Sequence, residues 1–230
     1  MGTPTAYAFV DLETTGGSAQ HDRITEIAII RVDGERVTRY QSLLNPQQHI
    51  SYFIESITGI SNAMVADAPE FAEVADEVWT WLQDCVFVAH NVRFDYGFLK
   101  QAFERVGKDF QPEQLCTVKL SRRLYPEHKH HGLDQLIDRH GLRMSQRHRA
   151  MADADAIYQF WQIVHKEFAA DVLQAACLKV MNKPSLPVYL NPLSIDTLYN
   201  GYGVYLIYGD NDLPLYIGKS KTVKTRLLAH

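Results

Sequence analysis

The chain has 230 residues, of which 46% are hydrophobic, and a net charge of −4 at neutral pH. That content can bury at least one substantial core, and the acidic balance argues against a protein that coats duplex DNA through a basic surplus. No apolar run approaches the roughly 18 residues that span a bilayer, and "MGTPT" lacks the charged and apolar regions of a signal peptide, so a cytoplasmic protein with no membrane partner is expected.

In chain order, residues 6–12 read as a strand within "YAFVDLETTGG". Side chains alternate along a strand, so Asp11 and Glu13 point the same way while Leu12 points to the other side. Two like charges that close destabilise each other unless something positive sits between them, and a divalent cation is the obvious candidate. Residues 24–32 and 36–44 read as two further strands, joined at Asp33-Gly34, a strong hairpin signal. From Asp67, Phe71, Val74, Val78 and Trp81 recur at helical spacing behind Pro69. "VFVAHN" at 86–91 looks like a short buried strand, followed by a helix from about Phe94 to Val106 that stops at Gly107. A short helix in 132–142 and a longer one from Ala152 complete a mixed α/β domain. Cys85, Cys116 and Cys177 are odd in number and far apart, which fits packed, reduced thiols.

Further ligands for a cation at Asp11 and Glu13 belong at strand ends and helix starts, which converge on one rim of an α/β sheet. Asp95, in "AHNVRFDYGFL", and Asp153, in "RHRAMADADA", occupy such places. Either acid alone is better explained as a helix cap, and it is their coincidence with the strand pair that points to a site. His148 precedes Asp153 by five residues, roughly 140° around a helix, so the two reach one point only if His148 sits on the loop before the helix. An imidazole, whose reference pKa is about 6.5, is a side chain suited to general-base work near neutral pH. "PEHKHHGL", with His128, His130 and His131, lacks metal-ligand spacing and reads as a solvated basic loop.

"FVDLETTG", "VAHNVRFD" and "HRAMADADA", in that order and with helices between them, resemble the three motifs of the DEDDh 3′-to-5′ exonucleases, the group that includes the proofreading ε subunit of bacterial DNA polymerase III. The resemblance covers about residues 5–168. It implies a ribonuclease H-like mixed sheet flanked by helices. It also implies Asp11, Glu13, Asp95 and Asp153 as ligands of two divalent ions, Mg²⁺ or Mn²⁺, with His148 as general base. Such ions prefer carboxylate oxygens and can hold the attacking and leaving oxygens of a phosphodiester displacement. Phe94 and Asn91 beside Asp95, and the Thr14-Thr15-Gly16 backbone, are candidates for contacting the terminal nucleotide. One departure is Thr58, where the proofreading subunit has a histidine; it weakens assignment to the replicative proofreader and leaves the catalytic set untouched.

The texture changes after residue 181. "NKPSLPVYLNP" holds three prolines in eleven residues and reads as a linker, so the expected organisation is an exonuclease domain over 1–175, a linker over 176–199 and a further domain from residue 200. "GVYLIYGDNDLPLYIGKSKTVKTRLLAH" resembles the start of a GIY-YIG nuclease domain of the excinuclease C type. Tyr205 and Tyr216 match the motif tyrosines, Gly218 the glycine after the second, and Arg226 the helix arginine. Lys219, Lys221 and Lys224 add a basic cluster suited to phosphates. That family binds its metal through a downstream glutamate, which these residues do not contain, so the hairpin is expected to be a truncated and inactive GIY-YIG fragment.

The function expected from the sequence is a metal-dependent 3′-to-5′ exonuclease acting on single-stranded or frayed DNA ends, in repair or proofreading. An exoribonuclease that trims RNA ends, and a module that binds DNA ends or tethers a polymerase or repair partner, are the alternatives.

Overall fold

The computed structural model describes residues 6–144, 148–181, 199, 201–208, 214–223 and 226. The chain divides into two compact units, residues 1–181 and 182–230. The first is built on a five-stranded sheet in the order β3-β2-β1-β4-β5, comprising β1 (Ala6–Thr14), β2 (Ile24–Asp33), β3 (Arg36–Leu43), β4 (Val86–Ala89) and β5 (Gln114–Cys116). β1, β2 and β3 pair antiparallel, whereas β4 and β5 run parallel to β1. The mixed sheet has a simple local cause. Asp33-Gly34, with Gly34 at φ 60°, closes a tight β2–β3 hairpin, while β4 and β5 are each reached through helical crossovers.

Both faces of the sheet are covered, and β2 is accordingly buried from Ile24 to Ile30 with almost no alternation. On the face of the odd-numbered β1 residues lies α7 (Ala150–Glu167), whose buried positions Ala150, Ala154, Ile157, Phe160, Trp161 and Val164 fall at helical spacing. Tyr7 and Phe9 meet it, with ring centroids 4.8 Å apart for Tyr7 and Trp161 and 5.2 Å for Phe9 and Tyr158. On the opposite face lie α3 (Phe71–Leu82) and α4 (Arg93–Arg105), locked by edge contacts of Phe71 and Trp79 on Phe103. The predicted helices and strands of residues 6–106 are thus present, with β1 extended to Thr14 so that Asp11 and Glu13 both lie within it.

Several elements differ from expectation. α1 (Tyr52–Thr58) and α2 (Asn62–Val65) were not anticipated: Tyr52 and Phe53 point outward, so α1 shows no apolar stripe, and it is defined by its ends. Ser51 caps its N-terminus through Ile54 N–H, and Gly59 at φ 70° ends it. Thr58 is the joint of that turn, donating to the Ile54 carbonyl and accepting from Ile60 N–H, each at 3.1 Å. β5, α5 (Thr117–Leu124) and α8 (Ala170–Met181) were also missed, whereas the short helix expected in 132–142 is present as α6 (Leu133–His140). α8 runs through the start of the stretch read as a linker, because Leu173, Ala176, Cys177 and Val180 form a buried stripe. Residues 182–198 of that stretch, and the turn 209–212, lie outside the described residues. The three cysteines are free and buried, as packed thiols should be.

The second unit contains the antiparallel pair β6 (Gly203–Tyr208) and β7 (Pro214–Ser220). No helix among the described residues is long and apolar enough to cross a membrane.

Candidate active site

β1 ends in a kink. Its ladder with β2 runs in step from Ala6–Asp33 to Glu13–Glu26, and then Thr14 faces Ile24, leaving Thr25 as an extra residue. Such bulges bend a strand and re-aim the side chains beside it. The loop that follows is tightly tied. Thr14 Oγ1 donates to the Gly16 carbonyl at 2.7 Å, Thr15 N–H donates to the Arg23 carbonyl at 2.9 Å, and Thr15 Oγ1 accepts from Arg23 N–H and from Gln48 Nε2. A Cβ on Gly16 would lie 2.6 Å from the Asp22 carboxylate, which already holds Ser18 N–H at 2.7 Å, so a side chain there has to displace that carboxylate. The side chains of Thr14 and Thr15 are therefore spent on shaping the loop, and so is the Thr15 amide.

Two helix starts converge on this strand end. Asp95, in the first turn of α4, is 3% exposed and its carboxylate accepts the backbone N–H of Leu12. Burial pushes the Asp95 carboxyl well above the usual carboxylate range, the N–H groups of Asp95 itself and Leu12 pull it back, and the charge of Glu13 pushes it up further. Asn91, just before α4, is exposed at φ 67°, and Phe94 is half-buried with its ring 4.9 Å from Phe98. Asp153 lies in the first turn of α7, 4% exposed, its N–H donating to the Arg149 carbonyl at 3.1 Å.

His148 sits on the loop before α7, exposed, at φ 58°. A left-handed backbone at a histidine is uncommon and marks a position held by its surroundings. Ligand-capable atoms of Glu13, His148 and Asp153 all lie within 4.8 Å of one another. Asp11 is two residues before Glu13 on the same strand face, and Asp95 joins through its electrostatic coupling to Glu13. The structure thus gathers the sequence-derived carboxylates and the histidine at one rim of the sheet. The donor set is hard oxygen with one imidazole, and a buried carboxyl burdened by a neighbouring like charge is what a divalent cation would relieve, so these residues fit such an ion.

Two residues of this region were missed from the sequence. Glu26, directly opposite Glu13, is completely buried and holds Arg149, the residue after His148, at 2.6 Å. The signal was a single acid inside the apolar run "ITEIAII". Beside Arg149 opens a groove of about 670 Å³, lined by Gln41, Arg143, Met144, Met151 and Asp155. His131, read as part of a solvated loop, is instead buried, bonded to Ser121 and to the His128 carbonyl.

The exonuclease family model, of the RNase T type, matches residues 8–160, more than half of the chain. The chain belongs to the exonuclease family. A PolC-type DNA polymerase III of Staphylococcus saprophyticus is 40% identical over 152 residues, covering 65% of this chain and 11% of that protein. One from Staphylococcus aureus is 39% identical over 165 residues, covering 70% and 11%. The chain therefore spans about a tenth of the length of the curated relatives it matches. Among solved structures, exonuclease X in complex with 5′-overhanging duplex DNA superposes with a TM-score of 0.57 at 27% identity, covering 74% of this chain and 99% of that one. Escherichia coli exonuclease I with a dA16 oligonucleotide gives 0.64 at 22% identity, covering 74% and 42%, a likeness of fold. The mixed sheet with flanking helices is the ribonuclease H-like fold of these exonucleases.

In the second unit, Tyr205 and Tyr216 lie with ring centroids 5.9 Å apart, and the Arg226 side chain hydrogen-bonds both hydroxyls. A Cβ on Gly218, the register partner of Tyr205, would lie 2.3 Å from the Tyr205 ring, so the glycine makes room for the tyrosine. These four residues form one cluster; Lys224 of the expected basic patch lies outside the described residues.

Proposed function

We propose that the first unit is a metal-dependent 3′-to-5′ exonuclease that removes nucleoside 5′-monophosphates from DNA ends. The observation that carries this reading is the convergence of Glu13, His148 and Asp153 within 4.8 Å, beside buried Asp95, on a chain of the exonuclease family. Asp11, Glu13, Asp95 and Asp153 would hold two divalent ions, Mg²⁺ or Mn²⁺. Bound there, the ions supply charge neutralisation at the scissile phosphate and a site for the attacking water. His148, exposed at the mouth of the cluster, takes a proton from that water, a role worth about 10²- to 10⁴-fold in rate. The tied loop of Thr14, Thr15 and Gly16, with Asn91 and Phe94 from the start of α4, flanks the terminal nucleotide. Arg143 beside the 670 Å³ groove suits the phosphates of the strand leading to it. DNA is favoured as substrate by exonuclease X and exonuclease I, whose structures hold duplex and single-stranded DNA, and by the PolC-type relatives, which point to proofreading or repair.

The test uses two 5′-labelled oligonucleotides of one sequence, DNA and RNA, with Mg²⁺ or Mn²⁺. A ladder shortening from the 3′ end of DNA, slowed at least 100-fold by His148→Ala, is the expected result. A ladder on RNA alone moves the protein to RNA trimming, and binding without turnover moves it to end capture. For the second unit, the cluster of Tyr205, Tyr216, Gly218 and Arg226 supports the start of a GIY-YIG nuclease domain.

A further inference from the structure

Glu26 carries a charge into the middle of the sheet, where it is 0% exposed. A buried carboxylate is tolerated only when its oxygens are paired and hydrogen-bonded. Arg149 Nε reaches the two oxygens at 3.2 and 3.0 Å and Nη2 reaches Oε1 at 2.6 Å. Gln41 Nε2 donates to Oε1 at 2.8 Å and the Ala150 N–H donates to Oε2 at 3.0 Å.

All of these bonds but that from Gln41 fall on the two residues that immediately follow His148. The Ala150 amide is one of the N–H groups left without an intrahelical partner at the start of α7, and Arg149, the N-cap, supplies no side-chain cap. Glu26 therefore caps α7 from a neighbouring strand. The Arg149 carbonyl in turn accepts the N–H groups of Ala152 at 2.9 Å and Asp153 at 3.1 Å. One carboxylate thus anchors the segment that carries His148 in its left-handed conformation and the helical turn that carries Asp153.

We infer that Glu26 is the positioning residue of the site: acting through Arg149 and Ala150, it holds His148 and Asp153 against Glu13 without itself touching substrate or metal. The inference rests on the exonuclease reading for its catalytic consequence. An ion pair that served only stability would join β2 to α7 anywhere along their contact, whereas this one is placed on the residue between the proposed base and the first turn of the helix.

The experiment compares Glu26→Gln with the parent chain. Turnover of a 5′-labelled DNA strand in Mn²⁺ is read as kcat and KM separately, in single and double variants with His148→Ala, and the ¹H–¹⁵N amide resonances of His148 and Asp153 are recorded without metal. Glu26→Gln should lower kcat about 10- to 100-fold with KM within about twofold. It should cost less in the His148→Ala background, where only the part acting through Asp153 remains. The amides of His148 and Asp153 should shift. A folded Glu26→Gln protein with parental kcat, or a loss fully additive with His148→Ala, overturns the inference. If Glu26→Gln does not fold, Arg149→Lys takes its place, keeping the charge and losing the forked geometry. If the parent chain degrades neither DNA nor RNA, the exonuclease reading is what fails, and unshifted amides in the variant then dispose of the positioning role on their own.

Discussion

Glu13 and Glu26 stand directly opposite each other in the β1–β2 ladder, and a single guanidinium, that of Arg149, answers both charges. Like charges at opposed positions of a sheet repel. Arg149 is committed by three N–H···O contacts to Glu26, and the Glu13 carboxylate comes within 4.8 Å of ligand atoms on His148 and Asp153. Two identical side chains in register are thereby given different work by one helix N-terminus.

The first prediction concerns stability. Arg149→Met removes the partner of a buried charge, which costs about 3–5 kcal/mol in fully buried pairs; with the Arg149 side chain 27% exposed, the lower end applies. Chemical denaturation at pH 7 measures it. Burial pushes the Glu26 carboxyl up, but the bonds from Arg149, Ala150 and Gln41 outweigh it, and its pKa lies below the ordinary value. A carboxyl with a lowered folded pKa stabilises above its unfolded pKa and loses that contribution as pH falls through the folded one. The gap in melting temperature between the parent and Glu26→Gln should therefore shrink below about pH 4.5, and a constant gap would contradict it.

Asp95→Asn should separate activity from stability. Burial and Glu13 hold the Asp95 carboxyl well above its ordinary range, so its ionised form is a burden on the metal-free fold at neutral pH. Asparagine removes the charge while keeping an acceptor for the Leu12 N–H. The variant should melt at or above the parent temperature without metal and lose at least 100-fold in turnover. Adding Mn²⁺ at 100 times its Kd should stabilise the parent by about 2.7 kcal/mol and the variant by much less. Differential scanning calorimetry with and without metal reads both effects.

Gly16→Ala would drive a methyl group into the Asp22 carboxylate, 2.6 Å away. Overpacking of this kind costs about 1–3 kcal/mol, and the loop beside Glu13 must shift to absorb it. Exonuclease turnover should fall together with the melting temperature. Asp22→Ala, which clears the space, should restore part of both in the double variant; a double variant no better than Gly16→Ala would place the strain elsewhere.

The thiols of Cys85 and Cys177 are each pushed up to about 11 by burial. Only about one molecule in a thousand carries either thiolate at pH 8. Iodoacetamide should leave both unmodified in the folded protein over an hour and alkylate them after denaturation, as read by mass spectrometry.

The parts legible in the sequence were those written in a single period. The alternation of Asp11, Leu12 and Glu13, the Asp33-Gly34 turn, and the helical spacing of Phe71, Val74 and Val78 each encode their structure locally. α1 was not legible because it is held by Ser51 and Gly59 at its ends and buries little between them. β5 has three residues, too few for any period to show. Glu26 and Arg149 were missed for a different reason: each is an ordinary charged residue in its own segment, and their pairing spans 123 positions in sequence. His148, by contrast, could be placed on the loop because the angular arithmetic of a helix excluded the alternative.

The register of β1 against β2 also decides where the chain can change length. Hydrophobic burial toward α7 through Tyr7 and Phe9 and the acids Asp11, Glu13 and Glu26 occupy one alternating face. Deleting one residue between Phe9 and Asp11 would put the aromatic contacts and the carboxylates on opposite faces, so that one set or the other points the wrong way. Core and site therefore constrain each other's spacing: a frame slip in these strands keeps the fold or the chemistry and loses the other. Variation in length is confined to places such as the Asp33-Gly34 turn, where added residues leave the parity of both strands intact.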